Sequence, residues 1–575
     1  MSRGLAKRVV ELAVVLGAAA GAFVLPAGSL TEATGSGAVV SSEPVAVAAG
    51  PSPSAMMATP PPSIAPAPTP APTPAATSTP SPTTTPTPTT TPAPPPIPNP
   101  RVLADVNAAR SVGGKFPSDS VTEPTVAMSP FDPSLAAVVY QRLTGNSSCG
   151  LDTGISISRD GGRTWKPVSG RPWRGTHRGP NYHGVIAWGP GPTPGSSRLW
   201  WADTTVPSCD YSAHSVSVSY SDNLGRTWAP LYVERRTPPW IGGFPDITVD
   251  DNPASPNFGV VYVAYNWLAD PQTGPGLAVL ASADGGHSWQ MAQVGAVGLS
   301  GYPDAWRIGY RIRTAPDGSA FVACYEAAMR HWNQYDPFAS GGLDNVGRVG
   351  FAVARLRYDR AAHRLSAGAA VWALTLAHNS YTVIGSAAPG TTNVLSPDPR
   401  WQIGLDVDQA SGRLFMAVSD YAAPVAPGRA HGVVRVGFTD DGSNWQWRAL
   451  GSLPHIQGLP QSAFKPTLAV SNGVVFVGFH GLEDVDKGAS LRATVGTYYS
   501  LSYDAGDDFT APAAITAARW FPTDLAADAN GAGLRERADF GPDGIVRYAY
   551  GDGRLAAEYP GRSAVFVALV DPGTR

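Results

Sequence analysis

Short runs in which apolar and small polar residues alternate recur along this chain, among them Gly154-Ile155-Ser156-Ile157-Ser158 and Ser215-Val216-Ser217-Val218-Ser219-Tyr220. A third run, Leu277-Ala278-Val279-Leu280, is continuously apolar. Alternation of period two places successive side chains on opposite faces of an extended backbone, so these runs predict strands. Each is followed by one phrase: Ser158-Arg159-Asp160-Gly161-Gly162-Arg163-Thr164-Trp165, then Ser221-Asp222-Asn223-Leu224-Gly225-Arg226-Thr227-Trp228, then Ser282-Ala283-Asp284-Gly285-Gly286-His287-Ser288-Trp289. Looser copies run from Phe438 to Trp445 and from Ser502 to Phe509, so the phrase, S-x-D-x-G-x-[ST]-W in its strict form, occurs five times with variation. The phrase has the chemistry of a hairpin tip. Its Asp or Asn can accept from the turn's own N–H groups, and its Gly takes a positive φ.

Spacing converts the phrase into an architecture. The closing aromatics stand at 165, 228, 289, 445 and 509, leaving gaps of 63, 61, 156 and 64 residues. The long gap holds two units, with the missing copy expected near Leu356-Arg357-Tyr358-Asp359-Arg360. A unit of about 60 to 80 residues with three or four short strands is a propeller blade. A second repeated element opens each unit, as in Pro124-Thr125-Val126-Ala127-Met128 and Asp246-Ile247-Thr248-Val249-Asp250, with further openings near His183, Tyr310, Gln402, Lys465 and Arg537. The expected fold is therefore all-β: a β-propeller of seven blades, with six as the alternative. The last unit, from Asp539 onward, lacks a tip phrase and is one strand short, so residues before Glu123 are expected to complete its sheet.

The ends read differently. Residues 1–30 begin with a basic stretch followed by an apolar one, the pattern of an export signal, cleaved or retained as a membrane anchor. Residues 31–100 are Pro, Thr, Ala and Ser with almost no charge, and 20 of the 50 residues from Pro51 to Pro100 are proline. Such a segment cannot bury a core and is expected to be a disordered stalk, reaching on the order of 150 Å if extended. Residues 101–575 form the propeller. The expected location is secreted or on the cell surface.

Net charge is -3 with no basic stripe, which argues against a nucleic-acid partner. The three cysteines suit at most one bridge. Cys149 and Cys209 lie 16 and 19 residues before the Trp of consecutive phrases, so a Cys149–Cys209 disulfide is expected, while Cys324 reads as a buried strand residue. No CxxC or HExxH is present, and neither a metal nor a cofactor is expected. The acidic run Glu483-Asp484-Val485-Asp486 reads as a solvated loop, with Ca²⁺ as the alternative.

The tip phrases are consumed in holding turns, so chemistry belongs at the blade openings, where innermost strands converge on a channel. Those positions carry Glu123, His183, Asp246, Arg307, Tyr310, Arg311, Gln402, Lys465, Arg537 and Asp539. Such a set either binds a polar ligand or pairs internally as a plug. Arg307, Arg311 and Arg313 share a strand face if alternation is unbroken, with Arg313 expected to pair with Asp304 or Glu326.

With those residues in view, the chain resembles the Asp-box (BNR-repeat) sialidase superfamily, over residues 121–570. Tyr310-Arg311-Ile312 is similar to the first three residues of that family's [FY]-R-I-P motif. Arg313 stands where the family has proline, and the motif follows three tip phrases rather than preceding the first. The resemblance implies an exported exo-alpha-sialidase-type glycoside hydrolase acting on acidic glycans. Arg311, with Arg307 and Arg537 placed by position, would clamp the substrate carboxylate. Glu123, His183 and Lys465 would add contacts, Asp246 or Asp539 would be the acid, and Tyr310 with Glu326 would form the nucleophile pair. The competing function is a surface propeller that binds glycans or proteins without catalysis, with Trp173, Trp240 and Trp306 available for sugar stacking. Either way the partner is a glycan or glycoprotein, and the protein is expected to be a monomer.

Overall fold

The structure is a computed structural model that describes residues 99–109, 120–143, 151–169, 181–205, 215–233, 243–267, 276–295, 297, 304–329, 346–376, 402–426, 429–451, 461–484, 493–521, 535–556, 558–559 and 562–573. The expected signal, stalk and Cys149–Cys209 bridge lie outside these residues.

Seven antiparallel sheets form the described fold, each with its strands in meander order. Their first strands are Ser120–Met128, Asn181–Pro190, Asp246–Val249, Asp304–Thr314, Gly404–Val407, Gln461–Ser471 and Arg537–Phe540. Each first strand packs on that of the next sheet, and the seventh packs on the first. The sheets are therefore blades in a closed ring, and the seven openings read from the sequence are these inner strands.

Closure follows the expected route. The seventh blade has three strands from the C-terminal end, and Arg101–Asn107 supplies the fourth by pairing antiparallel with Ala564–Asp571. Side chains lock it in place. Asp105 accepts from the Tyr550 hydroxyl at 2.8 Å and from Arg554 at 2.6 Å. Blade 4 is where the tip phrase is missing, and its outermost position is divided between Arg364–Ala367 and Val371–Thr375, both on Val346–Asp359.

The tip phrases fold as their chemistry requires. In the first, Gly162 N–H donates to Ser158 Oγ at 2.7 Å, and Asp160 accepts from the Thr164 N–H and hydroxyl at 2.8 and 2.6 Å. Gly161 and Gly162 both adopt positive φ, which a side chain would resist. The turns also join blades. Arg547 opens the second strand of blade 7 and donates to the Gly161 carbonyl of blade 1 at 2.9 Å. Arg413 of blade 5 reaches the equivalent Ala505 carbonyl of blade 6 at 3.1 Å. In blade 2, Arg198 NH1 lies 3.4 Å from where a Cβ on Gly285 of blade 3 would sit. The fourth residue of the phrase is thus the place where the preceding blade takes hold.

Candidate functional site at the channel mouth

The inner strands share a backbone irregularity that aims side chains at the axis. Glu123, His183, Phe244, Gly309, Lys465 and Arg535 all have positive φ, between 51° and 74°. In four blades the ladder shifts by one residue there, so three steps on the inner strand match two on its neighbour. This is a bulge, and it re-aims side chains. Proline follows at 124, 245 and 466, where the irregular ladder tolerates a missing N–H. Gln402 occupies the corresponding place in blade 5.

Period-two alternation beyond the bulge then stacks residues in levels. Glu123, His183, Phe244, Gln402, Lys465 and Arg535 form the mouth. Thr125, Asp246, Arg311, Thr467 and Arg537 come next, and Thr248, Arg313, Asp406 and Asp539 lie deeper. The charged members are all buried or nearly so.

Contacts join neighbouring blades around the channel, and those of Arg535 and Glu536 on blade 7 cross it to blades 3 and 5. His183 Nδ1 lies 2.7 Å from Glu123 Oε2, and the His183 ring stacks on Phe244 at 4.2 Å between centroids. Arg535 of blade 7 covers Phe244 of blade 3 and donates to the Pro245 carbonyl at 2.6 Å. Gln402 of blade 5 accepts from Arg535 N–H at 2.5 Å and donates to the Glu536 carbonyl at 2.6 Å. Arg311 reaches Gln402 Oε1 at 3.3 Å. Asp246 accepts from Ile312 N–H at 2.9 Å and from Arg313 at 3.3 Å. Asp539 accepts from Met128 N–H at 2.7 Å.

Burial and charge act against each other here. Burial pushes the Glu123 carboxyl up, but His183, Arg535 and Lys465 outweigh it and hold it below the usual range. Burial likewise opposes Asp246, where Arg537, Arg313 and Arg311 prevail and keep it ionised. At Asp539 burial wins over Arg537 and raises the pKa. Burial lowers Lys465 to about 8 against the pull of Glu536 and Glu123. It also lowers His183, against Glu123.

The structure separates the arginines that unbroken alternation would align. The bulge at Gly309 shifts the register between Ile308 and Arg311, so Arg307 leaves the channel while Arg311 and Arg313 face it. Arg307 pairs instead with Glu326 at 2.8 Å and with the Val294 carbonyl at 2.6 Å. Arg313 pairs with Asp246 and approaches Asp406 at 3.7 Å, rather than meeting Glu326. Tyr310 lies on the opposite side of the strand from Arg311, in the apolar layer between blades 3 and 4. Its hydroxyl donates to the Arg307 carbonyl at 2.7 Å, and burial raises its pKa well above the usual value. Glu326 is occupied by Arg307, so Tyr310 and Glu326 do not form a pair. A tyrosine and a glutamate do meet at Tyr548 and Glu536, 3.0 Å apart, but both are enclosed between blades 6 and 7.

Phe244, Arg535 and Asp406 were missed by the reading of the openings. The signal for the first was a proline: Phe244-Pro245 matches Glu123-Pro124 and Lys465-Pro466. Trp173 and Trp240 lie outside the described residues, as does the end of the acidic run after Asp484. Among the described residues no three His, Cys, Asp or Glu side chains are grouped to hold a metal. Cys324 is a buried free thiol, as its strand setting suggested.

No protein-family model matches the chain, and no curated protein matches it. Solved structures similar to it include a protein of unknown function from Dyadobacter fermentans, at 11% identity over 83% of this chain and 100% of that one, with a TM-score of 0.37. The alpha-L-arabinofuranosidase of Fusarium graminearum, solved with arabinobiose, is 12% identical over 69% of this chain and 97% of its own, with a TM-score of 0.36. An ulvan lyase bound to a GlcA and Rha3S saccharide is 10% identical over 82% and 96%, with a TM-score of 0.42. Likeness of this degree says nothing of what the present chain binds.

The deep carboxylates give the fold a pH signature. Burial, reinforced by Asp539 and Asp250, pushes Asp251 up to about 7, and burial pushes Asp406 to about 6 despite Arg313. Their contribution to stability is complete below about pH 4 and is lost as pH rises through those folded values. His183 has the opposite sign: its contribution is present above about pH 6.5 and is lost on acidification through its lowered value. With the raised carboxylates, Asp539 among them, outnumbering the one lowered imidazole, Tm should fall between about pH 5 and pH 7.5. Asp251→Asn should flatten that slope, and a wild-type Tm that climbs over the interval would contradict the assignment.

Proposed function

We propose that the protein is a glycan-acting propeller that takes an acidic sugar at the first-strand end of its channel, as an exo-glycosidase of sialidase type. One observation carries this reading: Arg311 and Arg537 act on the charge of Asp246 while Arg535 and Lys465 act on that of Glu123, and Arg311 and the Arg535 N–H meet on Gln402, all within the two outer levels of the channel. Arginine's planar fork suits a carboxylate better than a point charge does. In this reading Arg311 and Arg537 hold the sugar's acid group. Asp539, kept protonated to higher pH by burial, is a better general acid than Asp246, which serves as counter-ion to the arginines. The chain would be exported, its N-terminal segment acting as signal and stalk, and its partner would be a glycan or glycoprotein.

A second reading, binding without turnover, is favoured by Tyr310. Its hydroxyl is committed to a backbone carbonyl away from the channel, so the nucleophile that the sialidase resemblance implies is not in place.

The test is hydrolysis and binding of an aryl sialoside and an aryl uronide by the full chain. Arg311→Ala should lower affinity or turnover by about 100-fold, and Arg311→Lys should recover only part of it. Binding without release of the aryl group would select the second reading. Unchanged behaviour in a folded Arg311→Ala protein would remove Arg311 from the site, and no affinity for either glycoside would end the acidic-glycan reading.

A further inference from the structure

Among the described residues, two cationic donors at the mouth are buried without an acceptor. Lys465 has 0% exposure and its Nζ has no hydrogen-bond partner, and Arg537 Nε, one level deeper, is likewise unpaired. A desolvated cation left without an acceptor is strongly unfavourable, so its retention calls for a partner that arrives from outside. The nearby carboxylates have hydrogen-bond partners of their own. Glu123 Oε2 is engaged by His183. The oxygens of Glu536, the other acid acting on Lys465, are held by His480, Tyr548 and the Gly551 N–H behind the strand.

Charge points the same way. Over the two outer levels Lys465, Arg535, Arg311 and Arg537 face Glu123 and Asp246, an excess of two positive charges. His183 does not add a third at neutral pH, because burial lowers its pKa.

We propose that the mouth receives a doubly anionic saccharide: a carboxylate and a second oxyanion, a sulfate or phosphate ester, which meets Lys465 Nζ and Arg537 Nε. The inference rests on the acidic-glycan reading above and narrows its substrate class. A compact ammonium group suits an ester oxyanion, while the arginine forks suit the planar carboxylate.

Calorimetric titration of the full chain tests it, with four probes: a neutral disaccharide, a uronate-containing disaccharide, and the sulfate and phosphate esters of the latter. One ester should bind about 10- to 100-fold more tightly than the unesterified uronate, and the preferred one identifies the oxyanion. Lys465→Met should shrink that advantage to less than about threefold and should raise the ligand-free Tm, since it removes an unpaired buried charge. Equal affinity for the esterified and unesterified uronates would overturn the dianion inference and leave the acidic-glycan reading intact. Uronates that bind no better than the neutral sugar would overturn the reading itself. If Lys465→Met fails to fold, the wild-type comparison of the four probes decides alone.

Discussion

Arg547→Ala should destabilise the propeller by about 3–5 kcal/mol, the cost typical of removing one partner from a buried ionic network. Arg547 is fully buried and spends its guanidinium on three groups. It grips the Asp543 carboxylate through two nitrogens, at 2.5 and 2.7 Å, and donates to the Ile545 carbonyl at 2.8 Å and the Gly161 carbonyl at 2.9 Å. Alanine would leave both carbonyls without this donor, and Asp543, held below its usual pKa by Arg547, without its counter-charge. The loss falls on the seam between blade 7 and blade 1. Arg547→Lys keeps the charge but not the fork and should recover less than half of the loss. Asp543→Asn should cost at least as much, because it leaves the guanidinium of Arg547, at 0% exposure, without its counter-charge, whereas Asp543 is 29% exposed and can be hydrated when Arg547 is removed. Denaturant titration gives the three values. An Arg547→Ala loss within about 0.5 kcal/mol of zero, the range of ordinary surface substitutions, would show that the seam does not depend on this contact.

Removing residues 101–107 should be costlier still. The strand contributes a ladder along the edge of Ala564–Asp571, and at about 1 kcal/mol net per hydrogen bond its loss is on the order of 5 kcal/mol. The side-chain lock adds to this, since Arg554 and Tyr550 would lose Asp105. That sum is comparable to the whole stability of a typical domain. A chain beginning at residue 108 should therefore lose cooperative unfolding, with amide protection falling first in blades 7 and 1. A synthetic peptide of residues 99–109 should restore protection in trans by adding a strand to the open edge. Undiminished protection in the truncated chain would mean that the ring closes without this strand.

The ring was legible because its signature is local. A turn needs its Asp and Gly within a few residues, so each copy announced a blade, and counting openings gave seven. The divided outer strand of blade 4 lay where the phrase was missing, and the unfilled place in the last sheet pointed to the N-terminal strand. The mouth was only partly legible, because alternation carries across a strand only while its register is unbroken. The bulge at Gly309 sent Arg307 behind the strand and left Arg311 and Arg313 in front. Arg535 precedes its strand with no repeated phrase to mark it, and only its left-handed backbone reveals that it belongs with Glu123 and Lys465. Contacts that cross from blade 7 to blade 3 depend on the completed circle, which no local pattern encodes.

The N-terminal strand sewn to the C-terminal blade also orders events during synthesis. Its pairing partner, Ala564–Asp571, is made long after it, so the first strand of the fold must wait with one edge open while six blades form between the two.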